Sequence, residues 1–106
     1  MNPVLHEELA EKGPALTLLC RKYEVATLDI FGSAASADWD PRVSDLDFFV
    51  VFEPDGGGGL VDRYLGLADD LEALFNRKVD LVTPGAIRNP FFRDAIAATR
   101  ARLYGE

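Results

Sequence analysis

Residues 27–52 read TLDIFGSAASADWDPRVSDLDFFVVF, and this stretch decides the reading of the whole chain. It holds an apolar strand pattern, a Gly-Ser turn, a run of small residues, an Asp-x-Asp pair and a second strand pattern. On an extended segment the side-chain period of two sends Asp45 and Asp47 to one face, ~6–7 Å apart along the backbone. Two carboxylates there repel each other unless a positive charge sits between them, and as hard oxygen ligands they suit Mg²⁺. Gly32 and Ser33 close the preceding strand, where a helix start would leave backbone N–H groups for a phosphate. The stretch reads as a metal and phosphate site.

The 106 residues are expected to form one domain, residues 1–106, with a single core and no separate substrate domain. The net charge of −7 argues against non-specific nucleic-acid binding, which needs a positive surface; it leaves room for a nucleotide held through metal ions. Cys20 is the only cysteine, so neither an internal disulfide nor a cysteine zinc cluster can form, and its place is expected on a helix face. His6 is the only histidine and falls in a charged, peripheral segment, which disfavours Cys-His and Ser-His-Asp chemistry. With no signal-peptide pattern and no long apolar run, the expected location is cytoplasmic, without a membrane span.

Outward from the central stretch, Asn2-Pro3 predicts a helix to about Lys12, broken at Gly13-Pro14, with a second helix over ALTLLCRKY. The two could also form one bent helix. Strands are predicted over Val25–Phe31 and Leu46–Phe52, the latter central and covered on both faces because it is almost continuously apolar. Gly56–Gly59 predicts a flexible linker or lid, without a P-loop pattern. Leu60–Phe75 predicts an amphipathic helix with Leu60, Tyr64, Leu67, Leu71 and Leu74 on its apolar stripe and Val61, Ala68 and Phe75 adjoining. Lys78–Val82 predicts a third strand, and Asn89-Pro90 opens a last helix with Phe92, Ala95, Ile96, Thr99 and Leu103 on one face. The order is helix, strand, short helix, strand, helix, strand, helix: a mixed α/β fold with at least one crossover.

Asp45, Asp47 and Asp80 all interrupt apolar strands, and a carboxylate cannot stay charged in a low dielectric without compensation. Two readings of them stand: an acidic metal site, or solvent-facing and salt-bridged strand residues. Joined to the Gly-Ser turn, the first implies phosphoryl or nucleotidyl transfer, in which two Mg²⁺ ions clamp the entering and leaving oxygens and no histidine base is needed.

Gly32-Ser33, then Ser44-Asp45-Leu46-Asp47 leading into an apolar strand, then Asp80 in KVDLV, resembles the signature of the DNA polymerase beta-like nucleotidyltransferase superfamily. Within it the chain is similar to the minimal nucleotidyltransferases (MNT-domain, MntA-like antitoxins) that are encoded with HEPN-domain toxins. The resemblance implies a palm-like small mixed sheet packed by helices. It also implies that Gly32 and Ser33 contact nucleotide phosphates, that Asp45 and Asp47 bind both metals, and that Asp80 completes the metal site and acts on the attacking hydroxyl. The implied reaction is transfer of AMP from ATP to a tyrosine of the cognate HEPN ribonuclease toxin. The chain departs from the family's GSxARG, reading GSAASA, with Ser36 where arginine is expected and Ala37 where glycine is. A missing arginine removes a cationic fork suited to phosphate oxygens, a role open to Arg42 in a loop that is about one residue longer.

An enzyme modifying a protein, a binding protein neutralising its partner by occlusion, and a nucleotidyltransferase acting on RNA or a small molecule all follow from this pattern. The three retained aspartates favour the first and Ser36 the second. The small size means that a partner must supply much of the second substrate site, with Phe91 and Tyr104 as candidate contacts, Tyr64 in the core, and Trp39 either packed locally or near the nucleotide.

Overall fold

Two apolar stretches form the centre of the sheet: β1 (Val25–Phe31) pairs antiparallel with β2 (Leu46–Phe52) from Val25↔Phe52 to Phe31↔Asp47. The computed structural model describes residues 2–35, 40, 45–54 and 58–105. β3 (Val79–Val82) runs parallel to β2 on its far side, and β4 (Ala101–Tyr104) runs antiparallel to β1, giving the order β3-β2-β1-β4. A parallel neighbour requires a crossover. Helix α3 (Leu60–Phe75) supplies it and ends at Asn76, whose left-handed φ of 51° stops the helix.

At the start of the chain, α1 (Pro3–Glu11) is capped by Asn2, whose Oδ1 accepts from the amide of Val4 at 2.8 Å, with Pro3 in the first turn where no N–H is needed. α2 (Gly13–Lys22) follows at once, so the segment is two helices meeting at Lys12. Glu8 holds α1 in place, accepting from Lys12 and from Arg77 beyond α3, each at 2.9 Å. At the other end of the bundle, Tyr23 packs against Gly66 and donates to Asp70 at 2.5 Å; a Cβ on Gly66 would lie 2.6 Å from the Tyr23 ring.

The strand period of two sorts the sheet into unequal faces. Leu28, Ile30, Leu46, Phe48, Val50 and Leu81 turn to one side and form the core with Leu5, Leu9, Leu16, Cys20, Leu67, Leu71 and Phe75 from α1–α3. Cys20 therefore packs on a helix face as expected, and burial pushes its thiol up to about 12. The opposite face carries Asp29, Phe31, Asp47, Phe49, Asp80, Val82 and Arg102, partly covered by α4 (Pro90–Thr99), whose Phe92 meets Phe31 edge-on at 6.1 Å.

Three expectations are corrected. The last helix stops at Thr99, and Leu103 lies on β4 instead of continuing the helical stripe. The helical period ran on through Leu103, but pairing with β1 gives residues 101–104 the hydrogen bonds of a strand. β2 is central yet fully buried on one face; Phe49 and Val51 on the other are half-buried. The buried stripe of α3 is Arg63, Leu67, Leu71 and Phe75, while Leu60 is 57% exposed. Arg63 enters the stripe because its Nη1 donates to the Glu53 carbonyl and its guanidinium lies 5.1 Å from the Phe52 ring centroid. Tyr64 packs against the core as expected and donates to the Leu81 carbonyl.

Phe48, fully buried and 5.8 Å from Phe75, is the largest core side chain of β2. Phe48→Ala is expected to cost about 3–5 kcal/mol in urea denaturation. Val61→Ala, at a position 69% exposed, should change stability by less than about 0.5 kcal/mol.

Candidate active site

The site face takes its geometry from β2, whose two neighbours align their side chains with Asp47. Phe31 is its partner on β1, and Asp80 its partner on β3. Directly paired residues share a face, so Phe31, Asp47 and Asp80 form a row across the sheet. Asp45 precedes β2 by one residue and is exposed, as is Asp80, whereas Asp47 is half-buried between them. Burial, then the Asp80 carboxylate, then the Asp45 carboxylate push the Asp47 carboxyl up from 3.8 to about 6. Burial and like charge both favour the protonated form of this carboxyl.

The end of β1 makes the other wall. Gly32 adopts a φ of +70° and opens a short 3₁₀ turn, Gly32–Ala35, that carries the exposed Ser33. A Cβ at Gly32 would lie 2.7 Å from Asp47 Oδ2, so glycine is needed here both for the backbone conformation and for the approach of the carboxylate. The Gly32 amide donates to Thr99 Oγ1 at 3.1 Å, and that hydroxyl donates to the Ala95 carbonyl, which fixes the end of α4 against the turn.

The structure therefore brings together Gly32, Ser33, Asp45, Asp47 and Asp80. Ser36, Ala37, Trp39 and Arg42 lie outside the described residues. Hard carboxylate oxygens on neighbouring strands, one of them pushed up by burial and by its like-charged neighbours, suit Mg²⁺ in chemistry and in charge. Among the described residues no three ligating side chains stand close enough together to hold a metal ion as they are placed here. Phe91 is 83% exposed at the start of α4, whereas Tyr104 is half-buried and packs against the core. A cavity of about 440 Å³ lined by Val82, Ile87, Arg88 and Phe92 borders the face two residues beyond Asp80.

Sequence reasoning missed a fourth aspartate. Asp29 is 1% exposed and lies on the same face, accepting from Arg102 Nε, with Arg100 Nη1 3.9 Å from its other oxygen. The signal was available, since Asp29 interrupts an apolar strand just as Asp47 and Asp80 do. Its partners were not, because both arginines were read as helix or helix end.

A nucleotidyltransferase domain family model matches residues 15–103. Two similar proteins of Methanocaldococcus jannaschii, "Putative protein adenylyltransferase MJ0128" and "Putative protein adenylyltransferase MJ1379", are 38% and 34% identical over 81 and 79 residues. Each alignment takes in 74% of this chain, with 76% of the first relative and 77% of the second. A solved structure described as a "putative minimal nucleotidyltransferase" superposes with a TM-score of 0.73 at 28% identity, over 95% of both chains. A chain from a toxin-antitoxin structure with AMP-PNP shares the fold at a TM-score of 0.66 and 19% identity, covering 89% of this chain and 73% of that one. So does a chain from the complex of tri-AMPylated Shewanella oneidensis HEPN toxin with MNT antitoxin, at 0.63 and 17%, covering 92% and 73%. The mixed sheet packed by helices is thus the polymerase beta-like palm.

Gly32→Ala should lower stability by about 1–2 kcal/mol from backbone conformation alone, with a further loss from the displaced Asp47, measured by thermal unfolding. The raised Asp47 pKa means that the folded chain holds this proton more tightly than the unfolded chain. Stability from that proton is full below 3.8 and lost as pH rises through about 6. In chelator, Asp47→Asn should therefore raise the melting temperature above wild type at neutral pH, and the difference should shrink as pH falls through about 6.

Proposed function

This chain belongs to the nucleotidyltransferase domain family, and from that membership we propose a Mg²⁺-dependent protein adenylyltransferase. In this reading it is an antitoxin that transfers AMP from ATP to a tyrosine of a cognate HEPN-domain toxin, in the cytoplasm and in complex with that toxin. The observation that carries the reading is the Asp47–Asp80 register, with Asp45 beside it and Gly32 pressed against Asp47. The names of the similar proteins, and of the toxin-antitoxin complexes sharing the fold, support the choice of a protein acceptor and a HEPN partner.

Each residue has a part that follows from its place. Asp45, Asp47 and Asp80 hold two Mg²⁺ ions, which when bound offset the carboxylate and triphosphate charge and polarise the reacting phosphate. Gly32 gives the turn the room to approach the nucleotide, and Ser33 contacts its phosphates. Asp80, exposed on the outer strand β3, takes up the proton of the acceptor hydroxyl. The tyrosine oxygen forms a bond to the α-phosphorus as the bond to the β-phosphate bridging oxygen breaks, and pyrophosphate leaves. The exposed Phe91 and the half-open face beside it leave the acceptor to be delivered by the partner.

A second reading, neutralisation by binding alone, is favoured by Ser36 standing where the resembled family has arginine. Intact mass of the partner after incubation with this chain, ATP and Mg²⁺ separates the two. One AMP unit or a multiple should be gained, and the gain should disappear with Asp45→Asn/Asp47→Asn or with chelator. An unmodified partner that is still silenced within a complex would sink the enzymatic reading.

A further inference from the structure

The site combines three carboxylates with a nucleotide that brings about four more negative charges, on a chain of net charge −7. Two divalent ions offset about four of these charges. With metals and nucleotide held at Asp45, Asp47 and Asp80, about three of these negative charges would remain, and a cation beside the carboxylates would offset them.

We infer that Arg100 is that cation and that Asp29 is the residue that positions it, an assignment that rests on the nucleotidyltransferase reading above. The argument is one of register. Asp29 pairs with Arg102 and Ile30 with Ala101, and continuing that register one residue beyond β4 would set Arg100 against Phe31. The hydrogen bond from the Gly32 amide to Thr99 Oγ1 agrees with this continuation. Arg100 therefore follows directly on the residue tied to the Gly-Ser turn, on the same face as Phe31 and Asp47. It stands two strands from Asp47, a separation of about 10 Å between α-carbons. That span suits a triphosphate whose α-phosphate sits at the carboxylates.

Asp29 explains why the arginine stays on this face. Its carboxylate is buried at 1% exposure and holds Arg102 through Nε, while Arg100 lies 3.9 Å from Oδ2 with its side chain 45% exposed. Oδ2 has no hydrogen-bond partner, so Arg100 is drawn inward by charge and keeps its donors for a ligand. A planar guanidinium fork matches phosphate oxygens, and the sequence carries Ser36 where the resembled family has an arginine.

The test is titration calorimetry of AMP-PNP and of AMP, each with Mg²⁺, on wild type, Arg100→Gln, Arg100→Lys and Arg21→Gln, with folding checked by circular dichroism. Arg21 lies on α2, behind the opposite face of the sheet. Arg100→Gln should weaken AMP-PNP at least about tenfold and AMP by less than about twofold, with partial recovery in Arg100→Lys and no change in Arg21→Gln. AMP-PNP affinity unchanged in Arg100→Gln, or an equal loss for AMP, would overturn the assignment while leaving the nucleotidyltransferase reading intact. Wild-type protein that binds neither nucleotide would overturn both.

Discussion

The constraint on which this molecule depends is like-charge crowding at one end of β2. Parallel pairing with β3 sets Asp47 opposite Asp80, antiparallel pairing with β1 sets Asp47 beside Phe31, and Gly32 closes over the same carboxylate. Each contact removes water from a group that prefers to be hydrated, and two neighbouring carboxylates compound the cost. The opposite face supplies the compensating stability, because Leu46, Phe48 and Val50 alternate with these polar positions and are fully buried under the helices. One strand thus anchors the core and presents the chemistry, through the alternation of its side chains.

Around this strand the fold is asymmetric. Helices α1, α2 and α3 seal the core face, whereas α4 covers only part of the other, reaching Phe31 through Phe92 and the Gly-Ser turn through Thr99. The half-open face leaves Asp80 and Asp45 accessible and keeps Asp47 partly shielded. β4 brings Arg102, and the end of α4 brings Arg100, to the buried Asp29, so a second charged group lies beside the first. Among the described residues the first cluster gathers Asp45, Asp47 and Asp80, and the second sets Arg102 and Arg100 about Asp29.

Local chemistry was legible throughout. The Asn2-Pro3 and Asn89-Pro90 helix starts, the strands at 25–31 and 46–52 and the helix at 60–75 follow from capping, period and turn residues. The strand at 101–104 was hidden because Ile96, Thr99 and Leu103 continue a helical spacing. A four-residue edge strand draws its stability from its neighbour, which local pattern does not encode. Asp29 was hidden for a related reason: a carboxylate inside a strand reads as an alternating polar position until Arg102 is brought up from 73 residues away.

The sequence alone named the candidate residues: Asp45 just before a strand, Asp47 and Asp80 within strands, and a glycine-serine turn. Period and turn preference act over a few residues, so they can be read from composition and spacing. Tertiary structure decided which of these groups meet. The register of β2 against β3, the approach of Asp47 to Gly32, and the delivery of Arg100 to Asp29 each join segments distant in the chain. Such pairings are selected by the packing of the whole sheet against its helices, because a slip of one residue would turn every side chain to the other face.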